Sequence, residues 1–110
     1  MKTIEWRGTS LSAVRGFTEE ARKQAGYQLY RVQSGLEPDN WKPMTTVGAG
    51  VREIRVHTRD EFRVIYVATF QEAVYVLHAF QKKTQKTSKH DLEVATLRFK
   101  QLVKERKKKL

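Results

Sequence analysis

Three lysines follow a strongly apolar segment in the second half of the sequence. The run 80–87, Phe-Gln-Lys-Lys-Thr-Gln-Lys-Thr, places Lys82, Lys83 and Lys86 directly beyond a strand-like stretch. A loop that leaves a strand end is held by the rigid sheet, so these ammonium groups can surround a phosphate while Phe80 offers its ring to a base. Crowding of like charges also lowers a lysine pKa, which eases proton transfer near neutral pH. The alternative is a solvated loop with Phe80 in the core.

Arginines form a second group on two neighbouring strand-like segments. The short link at 58–61 joins these segments into a hairpin, which can set Arg55 beside Arg63, whereas Arg52 lies on the other face of its strand. An arginine among apolar residues indicates either an anion site or a structural ion pair. Arginine's planar fork suits phosphate better than the point charge of lysine. The carboxylates available for a structural pair are Glu53 and Glu61.

The three histidines, His57, His78 and His90, fall in separate elements. No two of them are spaced like a catalytic pair or a metal site. His57, near a strand end, is the better candidate for proton transfer, and His78 within its apolar strand is more typical of a packed residue. The sequence also has neither a carboxylate cluster with metal spacing nor a glycine-rich phosphate loop. We therefore expect no metal and no cofactor.

Length and composition favour a single basic domain spanning residues 1–110. The chain has no cysteine, and its 22 Lys and Arg outnumber its 12 Asp and Glu, for a net charge of +10. Such an excess attracts polyanions, nucleic acid first among them. The first six residues lack the apolar core of a signal peptide, and no stretch is apolar for the roughly 20 residues that a membrane span needs. We therefore expect a cytoplasmic protein with no membrane partner.

Hydrophobic periodicity predicts an α+β fold with the order β-α-α-β-β-β-α. One apolar stripe covers 11–36, bends at Gly16 and stops at Gly35, which suits the left-handed position after a helix. Ser10 or Ser12 can cap its start, and Ser88 can cap the last helix. Short links between strands indicate antiparallel hairpins, and we expect helices to cover one face of the sheet. The predicted strands are 3–6, 51–57, 62–70 and 73–80, with an irregular connection at 37–50.

Lysines also crowd the C-terminal helix. Lys100, Lys104 and the run 107–109 favour a solvated, fraying helix end whose positive charge suits the negative pole of the helix dipole. Ancillary phosphate binding is the alternative.

The sequence resembles the phage-derived, HigB-like branch of the RelE/ParE toxin superfamily in three segments. These are 51–55 (Val-Arg-Glu-Ile-Arg), 62–66 (Phe-Arg-Val-Ile-Tyr) and 77–87 (from Leu-His-Ala-Phe to Lys-Thr). The resemblance implies a RelE-like fold, a twisted antiparallel sheet flanked by an N-terminal helical hairpin and a C-terminal helix. It implies a toxin of a type II toxin–antitoxin system that cuts mRNA on the ribosome by 2′-hydroxyl attack without a metal. It also implies a helix-turn-helix, HigA-like antitoxin as partner.

By position, Arg63 matches the strand arginine that stabilises the phosphate in RelE-like toxins, and Lys82 and Lys83 match the basic end of the last strand. Arg55 and His57 complete the catalytic candidates. The sequence departs from RelE in having no tyrosine after Tyr75, so His57, Lys82 and Lys83 compete for the role of general base. Two other functions stay open, a ParE-like inhibitor of DNA gyrase and a non-enzymatic RNA- or DNA-binding module. The residues expected to bind RNA are Arg52, Phe80, Lys86 and Lys89.

Overall fold

A five-stranded sheet forms the centre of the structure, a computed structural model that describes residues 1–109. The sheet has the strand order β1-β5-β4-β3-β2. Two hairpins join β3, β4 and β5 as predicted, and β2 pairs antiparallel with β3. The strands are β1 (Thr3–Trp6), β2 (Trp41–Pro43), β3 (Val51–His57), β4 (Glu61–Val67) and β5 (Ala73–Lys82).

The prediction of a four-stranded, purely antiparallel sheet was wrong in two respects. β1 runs parallel to β5, with Thr3 opposite Ala73, so the sheet is mixed. The hairpins leave the outer edge of β5 open, and β1 fills it. In addition, Trp41–Pro43 forms a short edge strand inside the segment predicted to be irregular. A proline is tolerated there because an edge strand does not need every N–H for pairing.

Two helices follow β1, α1 (Ser10–Arg15) and α2 (Glu19–Gln33), and they are separated at Gly16 as the bend in the apolar stripe predicts. The predicted serine cap is wrong. Thr9 occupies the cap position of α1, and the buried Ser10 hydroxyl instead donates to the carbonyl of Val76 at 3.0 Å. Beyond α2, Gly35 has φ of +85°, which confirms the left-handed position expected of it.

The last helix is α3 (Lys89–Lys108), and Ser88 caps its start as predicted. The Ser88 hydroxyl accepts a hydrogen bond from the backbone N–H of Asp91 at 3.1 Å. Two arginines fasten this helix to the rest of the fold. Arg98 donates to the carbonyl of Leu77 at 2.9 Å, and Arg106 makes a two-pronged ion pair with Glu72 at 2.7 and 3.1 Å. Among residues 1–109, no helix is long and apolar enough to cross a membrane.

Helices cover both faces of the sheet, whereas the sequence predicted one covered face. Alternate residues of β4 explain the difference, because Val64 packs toward α1 and α2 while Ile65 packs toward α3. A central strand with two apolar faces needs a cover on each side. The largest fully buried side chains include Tyr66, Leu29, Ile54, Ile65, Leu77 and Leu102.

A β-bulge in β5 changes which residues face α3. Tyr66 pairs with Val76 but the preceding Ile65 pairs with His78, so Leu77 is an extra residue. One added residue reverses the alternation of the remaining strand. After the bulge, Phe80 packs on the α3 side of the sheet, and Lys82, two residues further, shares that face. The bulge thus sets the end of β5 in register with β3 and β4.

Gly48 is the tightest backbone position against α3. A Cβ atom there would lie 2.2 Å from Cε2 of Phe99, whereas a Cβ at Gly26 in α2 would meet nothing within 4 Å. We expect Gly48→Ala to lower the free energy of unfolding by about 1–3 kcal/mol through overpacking. Gly26→Ala should raise it by about 0.5–1 kcal/mol through helix propensity. Urea unfolding measures both, and equal effects of the two changes would contradict the packing of Phe99 on Gly48.

Candidate anion-binding site

Charged residues from three strand ends lie in rows on the α3 side of the sheet. Cross-strand pairing sets Arg55 directly opposite Arg63, as the sequence predicted, and the bulge brings Lys82 opposite Glu61. Side chains in such positions lie within about 5.5 Å at Cβ. Read from the end of the sheet inward, the rows are His57–Glu61–Lys82, Arg55–Arg63–Phe80 and Glu53–Ile65–His78.

Arg63 is buried, with 5% of its surface exposed, and most of its hydrogen-bonding groups are occupied. Both terminal nitrogens reach Oε1 of Glu61 at 3.2 Å, and Nη1 also donates to the carbonyl of Phe62 at 2.9 Å. Nε lies 3.6 Å from Oε1 of Glu53. Burial lowers the pKa of Arg63, an effect that Glu53 opposes. Arg63 therefore makes the structural ion pairs that the sequence left as an alternative.

Glu53 is fully buried and is the negative centre of the site. Besides Arg63, it accepts a hydrogen bond from the Thr87 hydroxyl at 3.1 Å, and its Oε1 lies 3.9 Å from Nζ of Lys42. Glu53 thus joins β2, β3 and β4 to the residue just before the cap of α3. Sequence reasoning missed Lys42 and Thr87, because Lys42 falls in the segment predicted to be irregular and Thr87 has no partner within its own element.

Lys82 is partly buried at the end of β5 and has a lowered pKa. Burial is the largest cause, the positive charge of Arg63 is next, and Glu53 opposes both. An ammonium group in this position gives up its proton more readily than a free lysine. Lys42 and Arg55 act on it in the same direction as Arg63, so these four side chains form one electrostatic unit, which we call the basic cluster: Lys42, Arg55, Arg63 and Lys82.

The basic cluster has more positive charge than its carboxylates neutralise. Four cations share Glu53 and Glu61, and Glu61 also contacts Nδ1 of His57. Among residues 1–109, Arg55 has no ion pair, and its buried Nε has no hydrogen-bond partner. Like charges directly opposite each other on a sheet are destabilising, and buried donors are normally satisfied. An anion bound beside Arg55 relieves both conditions.

Phe80 lies next to Arg63 with its ring stacked on His78, the ring centroids 5.3 Å apart and the planes 24° from parallel. Nε2 of His78 is 2.7 Å from Oδ1 of Asp91 in α3. Burial is the main cause of the lowered pKa of His78, although Asp91 opposes it. His78 is therefore a packed residue that supports Phe80, in agreement with the more typical of its two sequence interpretations. Phe80 is half-buried, and its accessible part borders the cluster.

The other sequence-predicted residues lie outside the basic cluster. Arg52 faces the α1–α2 side of β3, where it covers the Trp41 ring at 3.9 Å and lies 3.7 Å from Glu37. The structure therefore does not bring Arg52 to the same surface as Arg55. Three exposed lysines, Lys83, Lys86 and Lys89, lie in the segment that connects the end of β5 to the start of α3. Within residues 1–109, no three His, Asp or Glu side chains are grouped to hold a metal ion.

A mixed sheet covered by helices on both faces defines a small α+β protein, and the surplus of cations at one end of the sheet makes that end a candidate anion-binding site. The chain belongs to the family described as Phage derived protein Gp49-like (DUF891), whose model matches residues 12–100 and so includes every residue of the basic cluster. This is a family of the RelE/HigB toxin type, and membership indicates a toxin of a toxin–antitoxin system with an antitoxin as partner. None of the curated proteins compared with the chain matches it.

Arg55 and Glu53 should respond to neutralisation in opposite ways. Arg55→Gln removes a repulsion from Arg63, so we expect the free energy of unfolding to stay unchanged or rise by up to about 1 kcal/mol. Glu53→Gln removes one of the two counter-charges of the buried Arg63 and leaves it only the partly exposed Glu61, and we expect a loss of about 3–5 kcal/mol. Urea denaturation at low salt measures both variants. A loss from Arg55→Gln as large as that from Glu53→Gln would show that Arg55 is part of the structural ion-pair network.

Proposed function

We propose that the protein is a metal-independent endoribonuclease, the toxin of a type II system that cuts mRNA on the ribosome and so inhibits translation in the cytoplasm. The observation that carries the proposal is the Arg55–Arg63 pair with Lys82 beside it. Like charges directly opposite each other on a sheet are destabilising, and a bound phosphate group offsets that repulsion. Membership of a toxin family and the net charge of +10 support the same substrate class.

The proposed reaction needs a base, an acid and cations. The ribose 2′-hydroxyl loses its proton and attacks the adjacent phosphorus, the bond from phosphorus to the 5′-oxygen breaks, and that oxygen takes up a proton. The products are a 2′,3′-cyclic phosphate and a 5′-hydroxyl end. Charge accumulates on the phosphoryl oxygens in the transition state, where preorganised donors contribute most. The side chains that we propose for these roles lie in neighbouring rows of the sheet.

In the proposed mechanism, the side chains of the first two rows have different roles. Arg55, whose donors are free, and Lys82 contact the phosphoryl oxygens directly, while Arg63 adds its charge from beneath and keeps the strands in register. Lys82, with its lowered pKa, is the acid that protonates the leaving oxygen, and His57, polarised by Glu61, is the base at the other end of the same row. The ring of Phe80 stacks on a base of the RNA.

The proposal also gives a role to the three exposed lysines after Lys82 and names the kind of antitoxin. Lys83, Lys86 and Lys89 bind flanking phosphates of the mRNA, since they are exposed and follow Lys82 closely along the chain. Their contribution is to affinity, and it weakens with salt. The antitoxin is a helix-turn-helix protein of the HigA kind, which we infer from the resemblance to HigB.

The central test compares two adjacent lysines. We expect Lys82→Gln to abolish growth arrest on induction and to slow mRNA cutting at least about a hundredfold, the size of effect typical of a general acid. Lys83→Gln, which removes the same charge outside the basic cluster, should slow it only a few-fold. Primer extension on cellular mRNA measures the new ends. Arg63→Ala is a poorer test, because it removes the nearer of the two cations that face the buried Glu53 and so disturbs the fold as well.

The outcomes separate the three functions. Codon-phased cuts that require Lys82 support the endoribonuclease. Intact transcripts together with damaged DNA would instead identify a gyrase inhibitor. Salt-sensitive RNA binding without new ends would identify a binding module. Lys23→Gln, on the exposed face of α2 where Lys23 pairs with Glu19 at 3.1 Å, controls for the loss of one charge.

The pH profile tests the role of Lys82 as acid. Cleavage requires the protonated ammonium, so the rate should fall as pH rises through the pKa of Lys82. Because burial lowers that pKa, the fall should begin below the pH at which a free lysine titrates, about 10.4. Lys82→Arg keeps the charge but holds its proton, so the alkaline fall should disappear from the single-turnover rate on ribosome-bound mRNA. An unchanged alkaline limb in that variant assigns the acid to another group.

A further inference from the structure

The outward face of α3 carries five exposed lysines, which we call the lysine stripe: Lys89, Lys100, Lys104, Lys107 and Lys108. At 1.5 Å per residue, the stripe extends about 29 Å along the helix. Glu93 is the acidic residue within it, 3.9 Å from Lys89. Among the described residues, none of the other four lysines makes an ion pair.

The helix dipole explains only part of the stripe. Lys107 and Lys108 lie in the last turn of α3, where a positive charge is favourable. Lys100 and Lys104 lie before that turn and are four residues apart, a spacing at which like charges repel each other on a helix. The middle of the stripe is therefore unfavourable for the isolated helix and calls for a separate explanation.

Other side chains fix the orientation of the stripe. On the inward side of α3, Arg98 and Arg106 bond to Leu77 and Glu72, and Arg106 also covers the ring of Phe70 at 3.8 Å. The arginines of α3 thus fasten the helix, while its lysines remain on the outside. A groove of about 270 Å³ runs beside three of them, lined by Phe99, Lys100, Val103, Lys104 and Lys107.

We propose that the lysine stripe binds the phosphate backbone of double-helical RNA. A row of point charges on a rigid helix complements a regular row of phosphates. Phe99 is the one Phe, Tyr or Trp of α3 and lies half-buried, so beyond the imidazole of His90 in its first turn the helix exposes no ring on which single-stranded bases could stack. Duplex RNA is recognised by shape and backbone, which requires neither rings nor arginine forks. The choice of RNA over another polyanion rests on the proposed function.

The stripe and the basic cluster have separate tasks in this proposal. α3 begins beside Glu53, through Thr87, and its far end lies against Glu72 at the start of β5. The stripe therefore leads away from the site of cutting along the whole sheet. A structured RNA held there positions the enzyme on a larger particle, while the single-stranded substrate enters the cluster.

The test measures binding to a blunt RNA duplex of about 20 base pairs, slightly longer than the span of a duplex-binding domain. The triple change K100Q/K104Q/K107Q should weaken binding at least tenfold at low salt. It should also reduce the slope of log Kd against log salt by about two to three, since each neutralised phosphate contributes about 0.7–0.9. The matched control, R15Q/R22Q/K23Q, removes the same charge from exposed positions on α1 and α2 and should change the slope by less than one.

Equal weakening by the two triple variants would overturn the proposal, because net charge alone would then account for binding. Equal affinity of the unaltered protein for a DNA duplex of the same sequence would overturn the assignment to RNA. Failure of the nuclease function gives a different result. If mRNA remains uncut while the two triple variants still differ in duplex binding, the lysine stripe is supported and the nuclease function is not. If cutting depends on Lys82 while the two variants bind equally, the nuclease function is supported and the stripe is not.

Discussion

A carboxylate buried without water must be surrounded by positive charge and donors, and Glu53 imposes this condition on four elements at once. It sits inside β3 with no exposed surface and is met by Arg63 from β4, by Lys42 from β2 and by Thr87 just before α3. Removing an ion pair from water gains little net stability, because desolvation offsets the attraction. What the pair provides is position: the contacts of Glu53 determine where Arg63 lies, and Arg63 lies where β3 and β5 present their own cations.

The bulge in β5 is the second constraint on the site. Without the extra residue at Leu77, the alternation of β5 would turn Phe80 and Lys82 toward α1 and α2, away from Arg63. The carbonyl of Leu77 is held by Arg98, so α3 supports the irregularity that orients the strand end. The same helix supports Phe80 through Asp91 and His78. Fold and site are thus linked through α3 as well as through Glu53.

The sequence predicts the local features of this protein well, because they depend on neighbours in the chain. Such local features include the break at Gly16, the left-handed Gly35, the Ser88 cap and the alignment of Arg55 with Arg63 across a short hairpin. Each is determined within a few residues by periodicity, capping or loop length.

Features that depend on distant partners could not be predicted. The parallel direction of β1 depends on which edge of β5 is open, and four alternating residues do not reveal it. Lys42 belongs to the site only because three residues around Pro43 pair with β3. The placement of α3 on the second face decides the environment of His78 and Phe80 alike, and no local pattern at 88–108 specifies the face.

In our proposal, the two interpretations of the strand arginines, structural ion pair or anion site, describe different residues. Arg63 uses its guanidinium on Glu53, Glu61 and a backbone carbonyl, so little of its hydrogen-bonding capacity remains for a ligand. Arg55, directly opposite, has the same charge and no ion pair among the residues described. The buried Nε atoms of Arg55 and Arg63 both have no hydrogen-bond partner among the residues described, but only Arg63 has ion pairs. In the proposed site, the positive charges of both arginines act on a ligand that contacts Arg55. The division explains how a cation can be buried for stability and still contribute to binding, since its charge acts through its neighbour rather than through contact.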